Sequence, residues 1–563
     1  MSADFPVAFL LIFGAALVPL LRGRLRAAWM LALPVAAFAW LLALPHGEFA
    51  RFELMGHALT AMRVDRLSLL FGYAFLIATF LATIYALQVE DTTQHVAGLV
   101  YAGAALGAVF AGDLLTLFIY WELTAVSSVL LIWARRTERA YRAGMRYVVI
   151  QLASGMLLLA GAALHLEAGG SLSFGRIGLE SAGGALILAA FGIKCAFPLL
   201  HNWLQDAYPE ATITGTVVLS AFTTKLGIYA LARGFPGTEM LIWVGAVMTA
   251  FPIFYAVIEN DLRRVLAYSM NNQLGFMVVG IGLGTELALN GAVAHAFADI
   301  LFKMLLFMSM GAVLLRAGTV NGTDLGGLYK SMPFTTGFCI VGAASISAFP
   351  LFSAFVTKSM VMAAALNEGY TFIWLVLLFA SAGVFHHAGI KIPYFAFFAH
   401  DSGIRCREAP LNMLIAMGLA AALCVGIGMF PAALYSLLPF PVAYVPYTAT
   451  HVIDQLQLLV FSALAFSVLV RTGIYPPEMK SVNLDFDWIY RKLGPAIATA
   501  LARAVSSLLA GFGAVVSASS VRFIRTLERH HGPESKLART WPTGSMALWV
   551  MILLLAYLLL YYL

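Results

Sequence analysis

Charge is what this sequence has least of. Only 11% of its 563 residues are Asp, Glu, Lys or Arg and 61% are hydrophobic, where a soluble domain carries about 25% charged residues. Mean hydropathy is +0.88. These values exclude a soluble or disordered chain and put nearly the whole length in lipid. Cysteine is scarce as well. Cys195, Cys339, Cys406 and Cys424 are too far apart for a metal ribbon and form no disulfide framework. Iron–sulfur ligation within the chain is therefore not expected, and no cofactor is. A P-loop and a dinucleotide-binding glycine fingerprint are both lacking. The net charge of +6 would suit nucleic acid, but its distribution follows membrane topology, so no nucleic-acid partner is expected. The first apolar segment, Phe5 to Leu20, lacks a basic leader and a small-residue cleavage site. It reads as a retained helix rather than a signal peptide.

What the chain has instead is apolar runs almost end to end. A spanning helix needs about 20 apolar residues. On that rule there are about sixteen spans, near 5–22, 28–45, 66–88, 95–111, 113–134, 144–166, 183–206, 210–233, 239–258, 264–284, 287–316, 334–365, 370–399, 411–438, 452–470 and 543–563. The expected fold is an all-α, polytopic membrane protein. With the N-terminus outside, the cytoplasmic loops collect 24 of the 34 Lys and Arg, including Arg135, Arg136, Arg139, Arg263, Arg264, Arg405 and Arg407. The opposite loops hold Arg51, Arg63, Arg66, Arg176 and Arg233. The positive-inside rule then predicts both termini on the outer side of a bacterial inner membrane.

The remaining five basic residues are all lysines inside predicted spans: Lys194, Lys225, Lys303, Lys358 and Lys391. A charge at the bilayer centre costs at least about 2.5 kcal/mol, so such groups need wet or paired surroundings. Snorkelling to a headgroup is the plain alternative, strongest for Lys391. Lysine can give up its proton on burial and arginine cannot, so a set of lysines suits proton transfer. Glu122 lies mid-span in Tyr-Trp-Glu-Leu and offers a matching carboxylate.

Two prolines bear on these lysines. Pro198 lacks an N–H and strips the Lys194 carbonyl of its helical partner. Pro350 interrupts the span that holds Lys358. Broken helices in mid-membrane mark ion sites. One device used twice suggests an internal repeat of about five helices, inverted because five spans reverse polarity. His295, Asp299 and Lys303 follow at spacings of four, on one helical face, each about 6 Å further along. Tyr147, Gln151, Ser154, Ser269, Asn271, Asn272 and Gln273 add polar groups that singly are no more than packing hydrogen bonds. The expected organisation is spans over 1–94, one repeat over 95–234, a second over 239–399 and spans over 411–470. A basic amphipathic extension over 471–542, helical across 496–527 and lying along the membrane, precedes the final span, 543–563.

From about residue 60 to 430 the sequence resembles the antiporter-like subunits shared by Mrp-type cation/proton antiporters and the membrane arm of respiratory complex I, the NADH:quinone oxidoreductase. The resemblance rests on Trp-Glu at Glu122, on Phe-Gly-Ile-Lys with Pro-Leu-His-Asn-Trp-Leu-Gln-Asp-Ala at 191–207, and on Asp-Leu-Arg-Arg-Val-Leu-Ala-Tyr-Ser at 261–269. It rests also on His-Ala-Phe-Ala-Asp-Ile-Leu-Phe-Lys at 295–303 and Pro-Leu-Phe-Ser-Ala-Phe-Val-Thr-Lys at 350–358. The core looks closer to the D-type component of Mrp antiporters, in a long form, while the extension looks like the lateral helix and last span of the largest, distal antiporter-like component. The resemblance implies two inverted five-helix repeats with broken seventh and twelfth helices. It implies a coupled Glu122–Lys194 pair, Lys225 as the connecting residue, His295 and Lys303 in the second half, and Lys358 at the exit. His201 and Lys391 are further candidates. Asp299 stands where such proteins often have histidine, which would give Lys303 a negative partner. The implied function is proton movement within a hetero-oligomeric antiporter exchanging Na+ or K+, with other membrane subunits as partners. A complex I, hydrogenase or carbon-uptake assembly is the alternative.

A reading from another class is a haem- or quinone-binding membrane protein, suggested by His386 and His387. Adjacent helical residues point about 100° apart and cannot share one iron. A scaffold with silent buried charges is a further rival.

Overall fold

A computed structural model describes residues 4–54, 56–475, 479, 483–535 and 537–563. Lys480 and Lys536 of the basic stretch lie outside them. The chain divides into two compact units, Met1–Asp485 and Phe486–Leu563.

The first unit opens with α1, Val7–Leu17, and α2, Gly23–Ala43, followed by a β-hairpin of β1, Gly47–Leu54, and β2, His57–Val64. This hairpin is a small β element within the helical fold. Alternation in Glu-Phe-Ala-Arg-Phe-Glu and the nearby Gly56 are its signals. Thr60 pairs with the start of α5, accepting from Gly112 N (3.0 Å) and donating its own N–H to Asp113 Oδ2 (2.9 Å). Then come α3, Arg66–Tyr85; α4, Thr92–Phe110; α5, Leu114–Trp133; α6, Glu138–Glu167; and α7, Ala182–Lys194, with its continuation α8, Asn202–Ala207. Next are α9, Ile213–Ala221, and α10, Thr223–Gly234, which meet at a kink on Phe222. α11, Met240–Ile258, α12, Leu262–Leu283, and α13, Glu286–Ala317, lead to the second broken helix: α14, Pro333–Ile346, and α15, Ser353–Asn367. α16, Thr371–Val384, runs on through a π-turn, Phe385–Ile390, the short α17, Lys391–Pro393, and a second π-turn, Tyr394–Phe398. α18, Leu411–Met429, α19, Pro431–Tyr435, and α20, Ala449–Thr472, complete the unit.

The second unit holds α21, Gly494–His531, and α22, Thr543–Tyr562. At 38 residues α21 is about 57 Å long, roughly twice the hydrocarbon thickness of a bilayer.

Among the described residues, 13 helices are long and apolar enough to cross a membrane. This is a multi-pass helical membrane protein. Twelve of the sixteen expected spans are among these helices, and the thirteenth is the extension helix, Ile489–His531. The differences have physical causes. α1, α7 and α14 are apolar but short, the last two because each is half of a broken helix. α12 carries Arg263, Arg264, Asn271, Asn272 and Gln273, so its hydropathy falls although the helix is 22 residues long.

Both breaks use the same four residues. Ala196-Phe-Pro-Leu199 follows α7, and Ala348-Phe-Pro-Leu351 follows α14. In each, the Ala and the Leu take left-handed backbone angles: φ is 59° and 72° in the first, 55° and 75° in the second. Such angles cost non-glycine residues about 1–3 kcal/mol each and persist only where surrounding structure demands them. The carbonyls freed by the breaks are recaptured. Trp203 Nε1 donates to Ile193 O (2.9 Å), and Gln455 Nε2 donates to Ser347 O (3.1 Å).

The spine is α13, which packs against α3, α9, α12, α14, α15 and α18. One end of the bundle is tied by an ion pair. Arg233 at the end of α10 forks onto Asp65, the N-cap of α3, with both contacts at 2.8 Å. Burial pushes the Asp65 carboxyl up, but Arg233 and Arg63 prevail and hold it down at about 2. Because the folded-state value is depressed, this stabilisation is present above the ordinary carboxylate pKa and is lost as pH falls toward about 2. Asp65→Asn is expected to lower the thermal midpoint of the purified protein at pH 7. The gap between variant and wild type should be unchanged at pH 6 and shrink as pH drops below about 4. A gap that stays constant down to pH 3 would contradict this.

Candidate functional site

Lys194, Lys225, His295, Asp299, Lys303 and Lys391 are 0% exposed and Lys358 is 1% exposed. That disposes of snorkelling for all five lysines. Each ammonium therefore has to find oxygen inside the protein.

The first cluster lies where α5, α6 and α7 meet. Lys194, the last residue of α7, donates to Thr124 Oγ1 (2.6 Å) and Trp121 O (3.1 Å), both on α5. Its ammonium also lies 4.6 Å from the centroid of the Trp121 ring, a cation–π contact. The indole N–H of Trp121 donates to Ser154 Oγ (3.0 Å), and that hydroxyl donates to Ala190 O (2.8 Å). Glu122 does not form an ion pair with Lys194. Its field reaches the ammonium, yet its Oε1 is buried with no hydrogen-bond partner. Gly155 makes the room, since a Cβ there would overlap that oxygen.

The second cluster is strung along α13. The Asp299 carboxylate pairs with Lys225 of α10 at 2.7 Å. It does not pair with Lys303, against expectation. The residues at 295, 299 and 303 are stacked one above another on α13, so the next helix across supplies the closer cation. Lys225 also donates to Ser220 O (3.1 Å), a carbonyl beside the Phe222 kink. Lys303 donates to Ser269 Oγ on α12 (2.7 Å). His295 Nε2 meets Gln273 Oε1 at 3.0 Å and Nδ1 meets Thr357 Oγ1 at 3.0 Å. An amide oxygen only accepts, so Nε2 carries a proton. Lys358, the residue after Thr357, donates across the second break to Ile346 O (3.2 Å) and lies 4.9 Å from the Phe276 ring centroid.

Two candidates stand apart. Lys391 donates to Ala256 O (3.2 Å), Val257 O (2.7 Å) and Glu259 O (2.7 Å). It caps the C-terminus of α11, a common lysine role. His201, beside α8, pairs through Nε2 with Asp485 Oδ2 at 2.8 Å. Asp485 was not singled out from the sequence, nor were Thr124 and Thr357. The signal was present: each threonine lies within two residues of a charged group in an apolar run.

The geometry thus brings Lys225 of α10 onto Asp299 of α13, places His295 and Lys303 on that same helix, and ties α15, which carries Lys358, to it through Thr357 and His295, while Glu122 and Lys194 meet on α5 and α7. Residues 111–385 match the family described as NADH:quinone oxidoreductase/Mrp antiporter, TM. Glu122, Lys194, Lys225, His295, Asp299, Lys303 and Lys358 fall within the matched segment, and Lys391 and Asp485 lie beyond it. The D-type component of the Na(+)/H(+) antiporter of Alkalihalophilus pseudofirmus is 32% identical over 311 residues, which cover 50% of this chain and 62% of that protein. A chain of the Mrp complex from Dietzia sp. DQ12-45-1b superposes with a TM-score of 0.67 at 21% identity, over 82% of this chain and 98% of that one. A chain of the membrane-bound sulfane sulfur reductase, an archaeal respiratory membrane complex, superposes with a TM-score of 0.71 at 21% identity, over 99% and 100%. The chain spans about half to three-fifths of the length of the first curated relatives it matches.

Removing one partner of a buried ion pair leaves an uncompensated charge and costs about 3–5 kcal/mol. Asp299→Ala should therefore lower thermal stability sharply, and Lys225→Met in the same background should recover most of the loss. Additive losses in the double variant would show that the two groups do not interact.

Proposed function

We propose that this chain is the proton-translocating subunit of a multisubunit cation/proton antiporter of the bacterial inner membrane. The observation that carries the proposal is the set of seven ionisable groups within apolar helices α5, α7, α10, α13 and α15: Lys194, Lys225, His295, Lys303 and Lys358 each bonded to an oxygen of the protein, Asp299 paired with Lys225, and Glu122 beside Lys194. Hydrocarbon does not tolerate such a set without use.

The 95–234 and 239–399 segments act as two inverted five-helix repeats. The twin Ala-Phe-Pro-Leu breaks support this reading. So do the matched backbone bridges Asp113–Ser173 and Asp261–Asn321, each formed by the N-cap residue of α5 or α12. Asp299 joins the halves. It is bonded to Lys225 of the first and lies one helical turn from both His295 and Lys303 of the second. A proton on Glu122 removes a negative charge near Lys194. At about 8 Å and an effective dielectric near 20, that charge is worth roughly 2 kcal/mol, enough to change whether Lys194 holds its proton. The change passes to Lys225 and Asp299, then to Lys303 and Lys358. Both termini face outward, the exchanged cation is Na+ or K+, and other membrane subunits complete the assembly.

A second reading keeps the pathway and changes the driver, placing the chain in a redox-driven complex. The full-length fold match that includes the extension favours it. NADH-oxidising or other redox modules co-purifying in mild detergent would distinguish it from an antiporter. For the central claim, Glu122→Ala and Lys194→Ala in the intact complex should each abolish proton-coupled transport in membrane vesicles, with assembly preserved on native gels. Wild-type transport by both variants would refute the pathway.

A further inference from the structure

Trp121 touches Lys194 twice. Its main-chain carbonyl accepts from the ammonium at 3.1 Å, and its ring centroid lies 4.6 Å from the same nitrogen. The ring is buried, and a closed circuit across three helices fixes its pose. The indole N–H donates to Ser154 Oγ of α6 (3.0 Å), and that hydroxyl donates to Ala190 O of α7 (2.8 Å). Lys194 lies one turn beyond Ala190 on the same helix. The circuit needs one side chain that accepts and donates at once, which a serine hydroxyl does. Phe191 of α7 backs the indole, with ring centroids 5.2 Å apart. The register of α7 therefore sets both the lysine and the ring it faces. Gly155, next to Ser154, leaves the room that Glu122 Oε1 occupies. Adjacent residues of α6 thus accommodate adjacent residues of α5.

An indole face attracts an ammonium through its ring quadrupole, and most strongly where water is excluded. A neutral amine has no charge for the ring to attract. The indole nitrogen only donates, so it cannot take the lysine's proton. The ring therefore favours the charged form of Lys194 without competing for what it carries.

We propose that Trp121, seated by Ser154, is a positioning residue that holds Lys194 in its charged form and so sets the pH at which Lys194 passes on its proton. This rests on the pathway proposed above. The titratable groups on the elements packed against this end of α7 are Glu122 of α5, Tyr147 of α6 and Lys225 of α10. Tyr147 is engaged with Ser128 Oγ at 2.8 Å. α10 comes so close that a Cβ on Gly227 would stand 3.2 Å from the main-chain carbon of Lys194. Replacing the Trp121 side chain removes none of these groups, and it retains the main-chain carbonyl.

The test is the pH profile of proton-coupled transport by the intact complex in vesicles. Trp121→Leu keeps an apolar side chain and removes the ring. Its alkaline limb should move to lower pH by about 0.5–1 unit. Trp121→Phe keeps an aromatic face and should move the limb by less than Trp121→Leu does. Ser154→Ala releases the indole and should move it in the same direction. A limb that stays in place in Trp121→Leu overturns the proposal. So does an equal loss of rate at every pH, or an equal shift in the Leu and Phe variants, either of which assigns the ring a packing role. If Trp121→Leu fails to assemble, Ser154→Ala decides, and an unmoved limb there overturns the proposal. Lys194→Ala is the control: if it transports at the wild-type rate, the pathway itself is wrong. If it is inactive while Trp121→Leu keeps the wild-type profile, the pathway stands and the role of Trp121 falls.

Discussion

The structure depends on how an ammonium group is kept in a place where hydrocarbon forbids it. In this protein the answer is interrupted helix. A continuous helix uses its carbonyls internally, and each interruption frees some. Lys225 takes the Ser220 carbonyl beside the Phe222 kink, Lys358 takes that of Ile346 across the second break, and Lys391 takes three at the end of α11. Lys194 takes the Thr124 hydroxyl and the Trp121 carbonyl of α5, and Lys303 takes the Ser269 hydroxyl. The broken helices, the strained Ala and Leu angles and the buried lysines are parts of one arrangement.

Of the five lysines within the spans, this arrangement leaves four bound to neutral oxygen and one paired with a carboxylate. Lys225–Asp299 is the exception. Neutral partners stabilise an ammonium without fixing it, because the lysine can lose its proton and the hydroxyl or carbonyl is then merely underused. A carboxylate partner ties the charge state of the two groups together. Placing that one pair at the junction between α10 and α13 puts the strongest coupling where the two halves of the row meet. Glu122, held close to Lys194 but unbonded, keeps its influence electrostatic and therefore reversible.

Much of this was legible in the chain. Apolar length located the spans because lipid demands about 20 apolar residues from each. The same logic singled out Glu122, Lys194, Lys225, His295, Asp299, Lys303 and Lys358, since charge within an apolar run is conspicuous. Pro198 and Pro350 marked the breaks because a missing N–H is a covalent fact. The hairpin over 47–64 was harder to see, because a short stretch of mixed polarity between two spans reads equally well as a loop. The π-turn at 385–390 leaves no mark in hydropathy at all.

The sequence by itself determined which ionisable groups lie within apolar spans, because membrane depth follows from local hydropathy and needs no knowledge of neighbours. Only the tertiary structure decided which of them meet. Spacings of four put Asp299 within reach of Lys303, but the helix that packs across α13 brought Lys225 closer. Proximity on Glu122's own helix likewise said nothing of Thr124 and Trp121 holding Lys194. Helical periodicity orders side chains along one rod, whereas ion pairing is settled by distances between rods, and those are fixed only when the bundle closes.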